Sequence, residues 1–211
     1  MQIQEWSLVV IALLMCGVSC YLLVRDQGKV SKAMIVYSIL STIVVIGITI
    51  TLCMIYEENS FVFNLKRIGI LSILWAVAYI DYKEYRIPNS FVILGFVYRA
   101  LIILPELLFE EEFVRNIIAE GIAVVALLLA TGVCRLMIKN AIGAGDMKLF
   151  MVMGLLLGLD GIWSAVFMSL IVSFFIAVFL LATKKKSRND NIPFGPAIAL
   201  GTYLSIFLTG M

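Results

Sequence analysis

An all-α integral membrane protein, a polytopic bundle of about eight transmembrane helices, is the fold class this sequence predicts. Three observations predict it. Of the 211 residues, 63% are hydrophobic and only 14% charged, with a mean hydropathy of +1.07. A soluble domain carries roughly 25% charged residues and leaves a large share of its surface wet, so water cannot solvate this much apolar side chain. Apolar runs of spanning length recur along the whole chain, and the charges between them alternate in sign.

A helix needs about 20 apolar residues to cross the hydrocarbon core, with a range of roughly 17–25. On that ruler the segments are about 6–24, 31–56, 66–80, 89–104, 116–138, 147–159, 162–183 and 192–210. The first lacks a basic leader and a small-residue cleavage site, so it is a span and not a secretory signal. The third, fourth and sixth are short, which places a helix end below the membrane surface, shielded by protein or water. Residues 1–62 form two N-terminal spans with no assigned role, and residues 63–211 the remaining six.

Arg25, Lys29 and Lys32 follow the first span, Lys83 and Arg86 the third, Arg135 and Lys139 the fifth, and Lys184, Lys185, Lys186 and Arg188 the seventh. The other loops carry Glu57 and Glu58, then Glu106, Glu110, Glu111 and Glu112, then Asp160. The positive-inside rule makes the first set cytoplasmic and puts both termini outside. Lys66 and Arg67, placed just after the first pair of glutamates, fit this alternation poorly.

Composition also bounds the chemistry. There is no histidine, which excludes Ser–His–Asp and Cys–His catalysis and a Cys/His zinc site; no metal or organic cofactor is implied. The four cysteines form no C-x-x-C pair and read as packing residues. A net charge of +2 does not suggest nucleic acid as a partner. Carboxylates remain as the acid–base groups.

Three of the basic-side loops carry more than charge. Asp81 is followed by a segment ending Ile87-Pro88-Asn89; Gly143-Ala144-Gly145-Asp146-Met147-Lys148-Leu149 precedes the sixth span; Pro193-Phe194-Gly195-Pro196 opens the eighth. Each has a structural reading. Asp146 can be the N-cap of span six with turn glycines before it, Asp81 a solvated loop residue, and Pro88 a first-turn proline. Together they have a chemical one. Ionisable groups at the edge of hydrocarbon mark function by default, and two aspartates on one membrane face can meet in a bundle. Carboxylates sharing a site do not both ionise readily, so one keeps a proton to polarise a carbonyl while the other activates water. A proton relay in a transporter is the competing use of the same two side chains.

The three strings together resemble the signature of the prepilin peptidase family, intramembrane aspartyl proteases of the G-x-G-D type. The resemblance implies that Asp81 and Asp146 are the catalytic pair and that residues 63–211 are a six-helix G-x-G-D protease core. Lys83, Pro88, Asn89, Gly143, Gly145, Lys148, Pro193, Phe194, Gly195 and Pro196 are then supporting or substrate-binding residues. Lys83 and Lys148, each two residues past an aspartate, either orient the pair or only mark the inner face. The implied substrate is a type IV prepilin-like membrane protein with a short basic leader, a glycine before the cut and an apolar helix after it. Cleavage is expected at the cytoplasmic face of the cell membrane. Many family members also carry a cytoplasmic domain with C-x-x-C pairs linked to methylation, and without such pairs the expectation here is the protease alone. An inactive assembly scaffold is the remaining alternative.

Overall fold

The computed structural model describes residues 3–137, 142–184 and 192–210. Among them there are seven helices and no strand: α1 (Ile3–Gln27), α2 (Lys32–Ile55), α3 (Phe61–Glu84), α4 (Asn89–Phe109), α5 (Phe113–Met137), α6 (Ala144–Ala182) and α7 (Gly195–Thr209). The expected end of span five at Ile138, and the basic residues Lys139, Lys185, Lys186 and Arg188, lie outside the described residues. Six helices are long and apolar enough to cross a membrane; α7 is a shorter apolar helix.

Local sequence sets the ends. The Ser31 and Ser60 hydroxyls accept the Met34 and Phe63 N–H groups at 3.1 Å each, capping α2 and α3. Tyr85, at φ 54°, closes α3 with its N–H on the Asp81 carbonyl. Pro88 precedes α4, where its missing N–H costs nothing.

Helix α6 is too long for one crossing, since 39 residues span about 58 Å against a hydrocarbon core of about 30 Å. It breaks at Gly158, whose φ of 68° and ψ of −173° are not helical. The first arm starts beside the α3–α4 connection, where Lys148 reaches Asn89. The second arm runs antiparallel to α7: Ser164 meets Ser205 at 2.7 Å, while Ser169, further along, donates to the Ile198 carbonyl at 3.3 Å. The chain therefore turns back at Gly158, and residues 144–157 and 159–182 are separate segments. The eight segments read from the sequence are these two and the other six helices.

Helix α3 is the axis of the bundle. Every residue from 64 to 81 is buried, the mark of a helix enclosed by others on all sides, its charged residues included. Helix α5, by contrast, buries Glu120, Ala123, Leu127 and Thr131, a single stripe at helical spacing, and turns the rest outward. Glycines allow the closest approaches. A Cβ on Gly95 would lie 2.3 Å from Val152 of α6, and one on Gly201 would lie 2.3 Å from the backbone nitrogen of Ser169.

Two ends of the bundle follow from the contacts. At one end Gln27 donates to Glu84 at 2.7 Å, Arg86 grips Asp26 at 2.8 and 3.2 Å, and α7 begins against Asp81. At the other, Tyr56 donates to the Phe207 carbonyl at 3.1 Å and Asn59 to the Gly210 carbonyl at 3.0 Å.

Two expectations need correction. Spans three and four are longer than read, Phe61–Glu84 and Asn89–Phe109. Lys66 and Arg67 are not loop residues that end a span, nor is Glu106. Lys66 bridges Glu106 and Glu120, and Arg99 reaches the same two carboxylates at 2.6 Å each, all four residues being buried. Charges paired this way sit inside a helical bundle without ending its helices.

Candidate active site

Asp81 lies in the last turn of α3 and is 5% exposed. Its Oδ2 accepts the Gly195 N–H at 2.6 Å. That N–H belongs to the first turn of α7, where backbone donors lack intrahelical partners and the helix dipole favours negative charge. Gly195 is required here by space, because a Cβ would stand 2.8 Å from both Cβ and Oδ2 of Asp81. Pro196, the next residue of α7, has no N–H of its own and fixes the first turn. Phe194 caps α7 and sets its ring edge-on to Phe150 of α6, centroids 6.2 Å apart. Pro193 is half-buried just before it.

Asp146 is half-buried and comes from α6. It is the third residue of that helix and not its N-cap, which is Gly143. Its Oδ2 reaches back to accept the Gly143 N–H at 3.2 Å, the carboxylate half of a capping box. Gly145 packs against Ile87, a Cβ there falling 3.1 Å from the Ile87 Cβ. Gly145 against Ile87, Lys148 on Asn89 and Phe150 against Phe194 bring the start of α6 to the end of α3 and the start of α7, so Asp81 and Asp146 lie at the same end of the bundle.

The other residues singled out divide. Lys148 donates to Asn89 Oδ1 at 2.9 Å, tying the glycine-aspartate segment to the Ile87-Pro88-Asn89 segment, and Pro88 is buried behind it. Lys83 is instead directed at Tyr79, its Nζ 4.4 Å from the ring centroid. Sequence reasoning did not single out Phe150 or the Asp26–Arg86–Glu84 cluster in which Arg86 also contacts Glu84 at 2.6 Å. Phe150 carried the weak signal of adjacency, one turn after Asp146, while Ile87 was read within the motif of Pro88 and Asn89 without a role of its own. Among the described residues no group of three His, Cys, Asp or Glu side chains is placed to hold a metal.

Residues 68–182 match the Type IV leader peptidase family. The chain belongs to this family. The matched residues include Asp81 and Asp146, while Pro193 to Pro196 and helices α1 and α2 lie outside them. Over 137 residues the chain is 31% identical to a prepilin leader peptidase/N-methyltransferase of Bacillus subtilis (strain 168), covering 64% of this chain and 52% of that protein. Over 161 residues it is 29% identical to a protein of the same name from Legionella pneumophila, covering 74% and 55%. The chain thus spans about half the length of the curated relatives it matches. No solved structure matches it.

Proposed function

We propose that this chain is an aspartic endopeptidase that removes the short basic leader of type IV prepilin-like precursors at the cytoplasmic face of the cell membrane. The observation that carries this reading is the placement of Asp81 and Asp146 at one end of the bundle, brought from two helices, with the N-terminus of a third on Asp81. Membership of the leader peptidase family, and relatives named for prepilin cleavage, support the substrate class.

The chemistry needs one proton between the two carboxylates. The ionised one takes a proton from water, whose oxygen adds to the scissile carbonyl carbon, while the protonated one donates to the carbonyl oxygen. Collapse of the tetrahedral adduct transfers a proton to the amide nitrogen and breaks the C–N bond, leaving a leader acid and a new amino terminus. The Gly195 and Gly143 N–H groups fix the carboxylates, and the Lys148–Asn89 contact holds the two segments in register. Residues 63–211 form the catalytic core in this reading, and both termini lie outside the cell membrane. Of the two activities in the relatives' names only the peptidase is carried over, since these 211 residues contain no C-x-x-C pair.

The test co-expresses the chain with a candidate precursor and follows its size on a gel beside Asp81→Ala and Asp146→Ala. The expected result is cleavage after the leader glycine, lost in both variants at unchanged expression. Cleavage that survives in either variant removes that residue from the pair. A transporter using the two aspartates would cut no precursor at all.

A further inference from the structure

We propose that the seam between α2 and α7 is the docking groove for the substrate's apolar helix, the segment that follows the cut bond; this rests on the leader peptidase reading. The two helices are pinned at the end away from the aspartates, by Tyr56 on the Phe207 carbonyl and Asn59 on the Gly210 carbonyl. Towards the aspartates they part and leave a cavity of about 460 Å³, walled by Val44, Gly47 and Thr51 on one side and Leu200, Leu204 and Phe207 on the other. Its floor is closed by Tyr203, whose hydroxyl donates to the Leu71 carbonyl of α3 at 2.7 Å. Gly47 forms a notch, with nothing within 4 Å of where its Cβ would be. The Thr51 hydroxyl is returned to the Gly47 carbonyl at 2.9 Å, so this wall presents an apolar surface.

Lipid tails cover every outward face of such a bundle. What singles out this seam is its continuity with the site. Its α7 wall belongs to the helix whose first N–H holds Asp81, and α7 runs from that contact into the membrane. At a rise of about 1.5 Å per residue, Leu200 to Phe207 lie roughly 7–18 Å from the level of Gly195. A substrate helix leaving the aspartates in the same direction would bring residues about five to twelve after the cut alongside them. The cavity is shallow and notched by a glycine, which suits a ridge of side chains entering a groove and a close backbone approach. Three other cavities, beside Asp160, Glu57 and Glu110, carry charged residues in their walls and open near the opposite end. On this proposal the N-terminal helices have a role, since α2 supplies one wall of the groove.

The experiment uses the full chain in proteoliposomes and a synthetic precursor with a basic leader, a glycine and about 20 apolar residues. Single cysteines are placed along the apolar segment, and Gly47→Cys or Leu204→Cys in an Asp146→Asn enzyme whose native cysteines are replaced by serine. Disulfide adducts are expected to peak about five to twelve residues after the cut, at helical spacing. Adducts no more frequent than those of Ile122→Cys, on the outward face of α5, overturn the groove. A second variant, Gly47→Leu, fills the notch. It should slow cleavage of the full precursor about tenfold, mainly through KM, and leave a short soluble peptide spanning the cut at the wild-type rate. Equal loss on both substrates overturns the groove as well. Failure of the wild-type enzyme to cut the precursor sinks the leader peptidase reading itself, which distinguishes the two failures.

Discussion

The Asp81 carboxylate is held by a backbone N–H that only glycine can bring so close. Gly195→Ala would set a methyl group 2.8 Å from Asp81 Oδ2, and the carboxylate has to move. A displacement of about 1 Å at a reacting group costs on the order of a hundredfold in rate, so the variant should insert normally and cleave about a hundredfold more slowly. Initial cleavage rates normalised to membrane-inserted protein measure this; a rate within twofold of wild type, roughly, would contradict the geometry. Lys148 and Asn89 should act as one unit. Each alanine substitution is expected to slow cleavage, and the double substitution to slow it little further, a coupling that a double-mutant cycle on kcat/KM reads directly. The motif glycines, prolines and aspartates were legible in the sequence because their residue types are rare together. The lysines were not, and the reason is geometric. Residues i and i+2 of a helix do not face each other, so neither lysine sits beside the aspartate two positions before it. Which neighbour each lysine finds depends on tertiary packing that no local spacing encodes.

Between elements, the charges decide what holds α3, α4 and α5 together. Lys66, Arg99, Glu106 and Glu120 neutralise one another, each residue 7% exposed or less. Removing one partner strands a buried charge, so Glu120→Ala should destabilise the bundle by about 3–5 kcal/mol. Replacing all four by apolar residues of similar volume should cost far less or nothing, and unfolding midpoints of the two variants in one detergent compare them. Helix limits were misread at this point because a window of hydropathy treats every charge as a boundary. The partners are 40 and 54 residues apart in the chain, a separation at which one sequence shows no pairing. At the other end, Asp26 of α1 accepts two hydrogen bonds from the Arg86 guanidinium, at 3.2 and 2.8 Å, and so fixes the connection that leads to Pro88. That pair is wet, with 47% of the Arg86 side chain exposed, so its effect is small and screened. Asp26→Asn should lower cleavage modestly at low ionic strength, and the wild-type advantage should vanish as salt is raised.

For the whole molecule, the question is how many times the chain crosses and which way. The alternation of loop charges anticipated eight segments, and the turn at Gly158 keeps that number although helical structure runs on either side of it. Sequence alone placed the break near Asp160, where polarity interrupts the apolar run, but not at a glycine with φ of 68°. The contacts sort the exposed loops into two ends. Lys29 belongs to the end that carries Asp81, whereas Glu58 and Asp160 belong to the end pinned by Tyr56 and Asn59, and all three side chains are exposed. The basic loops favour the cytoplasm for the first end. In a variant with Cys16, Cys20, Cys53 and Cys134 replaced by serine, a membrane-impermeant thiol reagent added to intact cells should therefore label Glu58→Cys and Asp160→Cys but not Lys29→Cys. Lys29→Cys should react only after the membrane is opened. If position 160 behaves like position 29, α6 does not reverse at Gly158 and its second arm lies differently against α7. If all three positions react in the opposite sense, the bundle is intact but inverted, and the aspartates open away from the cytoplasm where a leader peptidase needs them.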